Sequence, residues 1–336
     1  MNWFERLTGF HETEYNDTRS RLEVNGDQLR SLVNGKSYGI GTLELVSLQA
    51  LRDRAASGLL PARLKVSMVR GDVRTMHQQP ENNGALFQVA SQFNLLEMMS
   101  PSVTPEDGVT RYSSDPTQGP ACAIAAGAAT IYRNYYANVG GHVGQIRSRQ
   151  LDGLADMGAA LSKALGKSVE SMWSMENGYA MCTLTGLQEI SRHLTSLRPE
   201  QVTALGGKLR IGLHSDVEVT DSDGTQPQLV SQAFCSALPV AYSPVPSSHW
   251  KPFATLILQA AYEATMWAAV LNAQRGASNV VFLTRLGGGA FGNDVDWIDF
   301  AIRSALQVVR GTALDVRIVS YGPPIATVAQ LVKDFE

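Results

Sequence analysis

Apolar and polar positions alternate with a period of two in "RLKVSMVRGDV" and "KLRIGLHSDVEVT", which predicts strands, the first ending at Gly71-Asp72. Unbroken apolar runs in "ALFQVA" (85–90) and "NVVFLTRL" predict strands covered on both faces, and "YAMCTL" and "ALDVRIVSYG" two more. Helical periodicity appears in "LDGLADMGAALSKALG", "TGLQEISRHLTSL" and "DVDWIDFAIRSALQVV". The longest helix reads "FATLILQAAYEATMWAAVLNAQRG", stopping at Gly276 after the proline-rich loop "SPVPSSHW". "PACAIAAGAATIYRNYYANV" reads as one small-faced helix with Pro120 in its first turn, where a missing N–H is harmless. Near the start, Asn25-Gly26 marks a hairpin-like turn, and a helix follows Val46 with Ser47 as its N-cap.

Strands alternating with helices predict an α/β layered fold: a mixed sheet with helices on both faces, carrying an N-terminal extension (1–60) on a main domain (61–336). The chain has 336 residues, enough for a full core, with 44% apolar and 18% charged positions. A net charge of -3 argues against a broad nucleic-acid or membrane-surface footprint. Cys122, Cys182 and Cys235 form no CxxC pair and sit among apolar neighbours, which predicts reduced, buried thiols. The first residues show no apolar signal core and no stretch reads as a membrane span, so a cytoplasmic protein is expected. The six histidines have no metal-ligand spacing, so neither a metal nor a cofactor is expected.

"LTRLGGGAFGND" (283–294) holds four glycines, at 287, 288, 289 and 292, between a strand and a helix. Glycine there costs backbone entropy, and it admits a ligand to bare amides at the start of a helix. The loop lacks the P-loop lysine and does not fit G-x-G-x-x-G with a downstream ribose carboxylate. Two readings stand: a phosphate cradle, or a tight turn whose glycines allow close packing.

"VRGDV" (69–73), "ALFQVASQFNLLE" (85–97) and "GGGAFGN" (287–293) follow one another in the order seen in macrodomains, which bind ADP-ribose. The chain resembles a divergent macrodomain, in particular the MavL-type ADP-ribosylhydrolase branch of bacterial effectors, associated with removing ADP-ribose from arginine. "DPTQGP" (115–120) belongs to the same set, and the resemblance covers roughly residues 60–336. It implies a three-layer macrodomain-like sheet whose partner is ADP-ribose or an ADP-ribosylated protein. It implies Asp72 and Val73 at the adenine, Gly287, Gly288, Gly289, Ala290, Gly292 and Asn293 at the diphosphate, and Phe291 against a ribose. The usual Asn-Ala-Ala-Asn and triple-glycine catalytic loop is absent after the 85–90 strand; Asn94 is the nearest candidate, and Gln88 would line the cleft near the ribose.

"TPEDGVTRYSSDPTQGP" places Glu106, Asp107 and Asp115 in one irregular segment before a helix. Glycosidic hydrolysis at a ribose passes through an oxocarbenium-like state, for which one carboxylate can orient water and another can assist departure. Asp107 and Asp115 are the candidate pair, with Thr117, Gln118 and Gly119 as ligand-facing neighbours. An anionic pocket also suits a guanidinium leaving group. A domain that binds ADP-ribose without turnover, and a purely structural α/β domain, are the alternative readings.

Overall fold

Strands that are apolar on both sides belong inside a covered sheet, and the unbroken apolar runs lie there. The computed structural model describes residues 1–56, 62–222, 226–323 and 325–336. Its central sheet has seven strands: β1 (Thr42–Ser47), β2 (Lys65–Arg70), β3 (Leu86–Ala90), β4 (Arg210–Glu218), β5 (Leu229–Cys235), β6 (Val280–Leu283) and β7 (Asp315–Ser320). Their spatial order is β1-β4-β5-β3-β6-β7-β2. The β1–β4 and β4–β5 pairs are antiparallel, and all the others are parallel.

The helices that frame the sheet are α1 (Leu48–Ala55), α2 (Val73–Gln78), α3 (Gln118–Ala125), α4 (Gly127–Tyr135), α5 (Ala155–Leu165), α6 (Leu184–Ser196), α7 (Ser247–Gln274) and α8 (Val295–Val308). Side chains of β3 alternate between two cores. Leu86 joins α1, α7 and α8, whereas Phe87 and Val89 join Val73 and Met76 of α2 and Cys122 of α3. The predicted mixed sheet with helices on both faces is therefore observed. All three cysteines are free and buried.

By length and apolar composition the 28-residue α7 could cross a membrane, but 72% of its apolar window is buried inside the protein. It is the central core helix. Its start corrects the expected loop "SPVPSSHW", because Ser247 already opens the helix. The fully buried Trp250 draws this segment inward, and its indole N–H donates to the Val245 carbonyl at 3.2 Å. The helix expected from Pro120 onward is also two helices, broken at Ala126. The Gly127 amide there turns to the Thr220 hydroxyl (2.8 Å).

The N-terminal part of the chain contributes β1, an edge strand of the sheet, and its Trp3, Phe4 and Leu7 pack against α4. The expected boundary between residues 60 and 61 lies outside the described residues.

A column of rings crosses one core: His77 stacks on Phe87 at 3.7 Å, Phe87 on Phe282 at 4.5 Å, and the Arg317 guanidinium lies 5.4 Å from the Phe282 ring. Burial pushes the His77 pKa down to about 4, against the opposing hydrogen bond to the Val73 carbonyl. The unfolded chain takes up this proton near pH 6.5, and the folded chain only near pH 4. Stability from His77 is therefore complete above pH 6.5 and is lost as pH falls toward 4. We expect His77→Gln to flatten the acid-side loss by roughly 2–3 kcal/mol between pH 7 and pH 4.5. Urea unfolding at both pH values checks this; parallel losses in variant and parent would remove His77 as the cause.

Candidate active site

β3 and β6 pair only at Leu86–Val281 and Phe87–Phe282, so beyond Phe87 the two strands part. The chain leaves β3 toward β4 on one side of the sheet and leaves β6 toward β7 on the other. Such a divergence at strand carboxyl ends is where open α/β sheets form ligand crevices. Here Gln118 closes the gap. Its amide accepts from the Ala90 N–H (2.9 Å) and donates to the Gln88 carbonyl (2.8 Å), pairing with β3 as a neighbouring strand would. The amino end of α3 comes so close to β3 that a Cβ on Gly119 would stand 2.0 Å from the Ala90 oxygen, which only glycine permits.

Above this closure lies a cavity of about 360 Å³, within the range of small-molecule sites. Its walls include Asp115, Thr117, Gln118 and Gly119 on one side and Gly287, Gly289, Ala290 and Phe291 on the other. The structure thus joins two segments that lie some 170 residues apart in the sequence.

The glycine loop leaves β6 under the control of Tyr262 on α7, whose hydroxyl donates to the Thr284 carbonyl and accepts from the Leu286 amide, both at 2.7 Å. Gly287 and Gly292 have φ of +73° and +68°, and a Cβ on them would meet Ala237 at 2.6 Å and Ala241 at 2.8 Å. Buried Asn293 ties the loop shut: its amide donates to the Gly287 carbonyl (2.9 Å) and its side chain to the Leu238 carbonyl (2.8 Å). Gly288 faces Ile298 of α8, while the Cβ direction of Gly289 is open. The glycines therefore divide between packing and access. Among the described residues the N–H groups of Gly287, Gly289, Ala290 and Phe291 have no partner in the chain, so the loop offers four free donors.

The cavity walls also carry charge and rings. Asp115 is half-buried, and one of its oxygens accepts from the Thr117 amide at 2.9 Å. Phe291, Tyr242 and Tyr179 form one aromatic cluster with ring centroids 5.2–5.7 Å apart. Beneath them Glu97 is buried, with Arg133 at 3.4 Å, and burial pushes its pKa up to about 7 although Arg133 opposes the shift. Arg285 lines the cavity but is ion-paired with Asp299 of α8.

Other predicted site residues stand elsewhere. Asp72 ends β2, with β7 between it and β6, and caps α2 through the Arg74 amide (2.8 Å); two strand spacings amount to about 10 Å. Val73 packs in the core. Gln88 lies under the floor, donating to the Thr265 hydroxyl (2.9 Å). Asn94 is fully buried; it accepts from the Leu96 amide (3.1 Å) and donates to Gln150 (2.8 Å). Asp107 accepts from the Thr104 amide (2.8 Å) and lies 3.6 Å from Arg111; the amide bond chiefly holds its carboxyl below the usual range. None of these five lines the cavity.

Glu97, Tyr179 and Tyr242 are among the cavity residues that the sequence reading did not single out. Glu97 had a signal, an acid inside the apolar run "NLLEMM". Tyr179 and Tyr242 had none, because only the fold brings them to Phe291. Tyr112, Tyr135 and Tyr136 use their hydroxyls in internal bonds to Glu97, Glu12 and Arg19.

No protein-family model matches the sequence, and neither does any curated protein. The fold is similar to that of poly(ADP-ribose) glycohydrolase from Deinococcus radiodurans in complex with ADP-ribose, at 12% identity over 87% of this chain and 93% of that one, with a TM-score of 0.44. It is similar also to poly(ADP-ribose) glycohydrolase from Thermomonospora curvata, at 12% identity over 92% and 94% of the two chains, with a TM-score of 0.43. The same enzyme bound to the inhibitor ADP-HPD gives 11% identity over 92% and 93%, with a TM-score of 0.42.

Proposed function

We propose that the cavity binds ADP-ribose attached to a modified protein and hydrolyses its glycosidic bond, with arginine as the linked residue. The observation that carries this reading is that four free amides, a carboxylate and an aromatic wall share one cavity. The amides suit a diphosphate, because unpaired N–H groups in a concave loop stabilise anions. Phe291 packs against the distal ribose, which brings its anomeric carbon toward Asp115. Asp115 orients a water molecule and accepts its proton as the carbon–nitrogen bond breaks, and its charge offsets the oxocarbenium character of the transition state. A guanidinium leaving group fits beside Asp115 and over the faces of Tyr242 and Phe291.

A second reading, binding without turnover, is favoured by Asp107, whose carboxylate caps its own turn and leaves Asp115 without the expected partner. Turnover measured on arginine-linked, glutamate-linked and polymeric ADP-ribose separates the two readings and identifies the linkage.

Gly289→Val fills the open space over the free amides and should weaken ADP-ribose binding at least tenfold in calorimetry without changing the thermal midpoint. Equal affinity would move the diphosphate off this loop. Asp115→Asn keeps shape and removes charge, so turnover should fall about 10²–10⁴-fold while affinity changes little. Retention of the parent rate would exclude Asp115 as the base.

A further inference from the structure

The turn that follows β3, Ser91–Glu97, is held in an unusual shape. Leu95 has φ of +65°, which costs a branched residue free energy and persists only where its surroundings enforce it. The enforcement comes from Arg133 on α4, which is entirely buried. Its Nε donates to the Leu95 carbonyl (3.1 Å), and its Nη2 donates to the Thr130 hydroxyl (3.1 Å) and reaches both Glu97 oxygens at 3.4 and 3.5 Å. The guanidinium also lies 3.9 Å from the Phe234 ring centre.

Glu97 continues the connection in two directions. Its N–H donates to the Tyr112 hydroxyl (3.1 Å), and the Tyr112 carbonyl accepts from the Asp115 amide (3.2 Å). Its Cγ lies 3.1 Å from where a Cβ of Gly119 would stand, so it supports the first turn of α3 from below. Asp115 is thus tied to Glu97 through its N–H and the Tyr112 side chain on one side and through the Glu97 side chain and the first turn of α3 on the other, while the Glu12 carboxylate holds the start of the same segment through the Val109 and Thr110 amides (2.9 and 2.6 Å).

We infer that Glu97 and Arg133 are a positioning pair, which sets the location of the Tyr112–Gly119 segment and with it the reach of Asp115 into the cavity. The catalytic part of this inference rests on the function proposed above; the structural part does not. The pair is proton-linked. The groups facing Glu97 are Arg133, Tyr112 and Cys122 of α3, and His214 of β4 lies beyond Arg133, where burial chiefly and the Arg133 charge hold it neutral. Burial raises the Glu97 pKa to about 7 against the opposing Arg133 charge, so the closed segment holds a proton that an opened, solvated Glu97 gives up. The segment should therefore be held more firmly at pH 6 than at pH 8.

Hydrogen exchange tests this on the whole chain without ligand, at the amides of Asp115, Thr117 and Ala121, all internally bonded. After correction for intrinsic rates, the parent should be better protected at pH 6 than at pH 8. Glu97→Gln should lose that difference. Because Glu97→Gln strands the Arg133 charge, the double variant E97Q/R133M, with no buried charge left, serves as the control for folding and should show the same loss. A parent-like difference between pH 6 and pH 8 in both variants would overturn the pair's role. Kinetics adds a second arm: kcat of Glu97→Gln should fall tenfold or more at nearly constant KM and lose its pH dependence near 7, and Glu97→Asp should recover part of it. A parent-like kcat would overturn the positioning of Asp115. A parent that shows the exchange pattern but hydrolyses no ADP-ribosyl bond would leave the pair standing and refute the proposed function.

Discussion

The parting of β3 from β6 is the constraint on which the rest of the site depends. Two parallel strands that stop pairing leave backbone donors and acceptors that must find partners, because unpaired buried groups cost free energy comparable to a lost hydrogen bond. One side chain, Gln118, supplies both for β3. That bond places the amino end of α3 against the sheet, and Gly119 allows the contact. The acidic segment before α3 and the glycine loop after β6 then face each other across the gap. The cavity is the space left between a helix that had to come close and a loop that has no side chains to fill it.

Charge within this arrangement is graded by depth. Asp115 lies at the wall with one oxygen committed to a neighbouring amide, whereas Glu97 is fully buried at the bottom of the same cavity, where burial opposes its ionisation and Arg133 favours it. A buried pair is weak evidence for stability, since desolvation offsets most of the attraction. Its value here is geometric: it holds the strained Leu95 turn and the segment that carries Asp115. The same logic applies to the glycines. Gly287 and Gly292 serve the backbone conformation and the packing on Ala237 and Ala241, and Gly289 alone has open space before it.

Much of the fold was legible because period and composition are local. The strand runs at 85–90 and 280–283, the Ser47 cap and the stop at Gly276 all lie where the pattern predicts. The first turn of α7 was not legible, because burial of Trp250 overrides the prolines before it. In the site, the glycine loop and the Asp115–Gly119 segment could be read from residue type alone, and the structure brings them together. Asp115, beside the Thr117–Gly119 turn, ranks above Asp107 on the sequence, but the Thr104 turn that occupies Asp107 was not legible, because it depends on a three-residue spacing shared by many solvent-exposed caps. Tyr179 and Tyr242 carry no sequence signal, since their role comes from tertiary contact with Phe291.

The central claim is that the free amides of the glycine loop bind the diphosphate of ADP-ribose. Amide chemical shifts followed by NMR during titration with ADP-ribose test it most directly. The account predicts saturable shifts that are largest at Gly287, Gly289, Ala290 and Phe291, accompanied by Asp115. Shifts centred on Asp72 and α2, or no shifts at millimolar ligand, would contradict it.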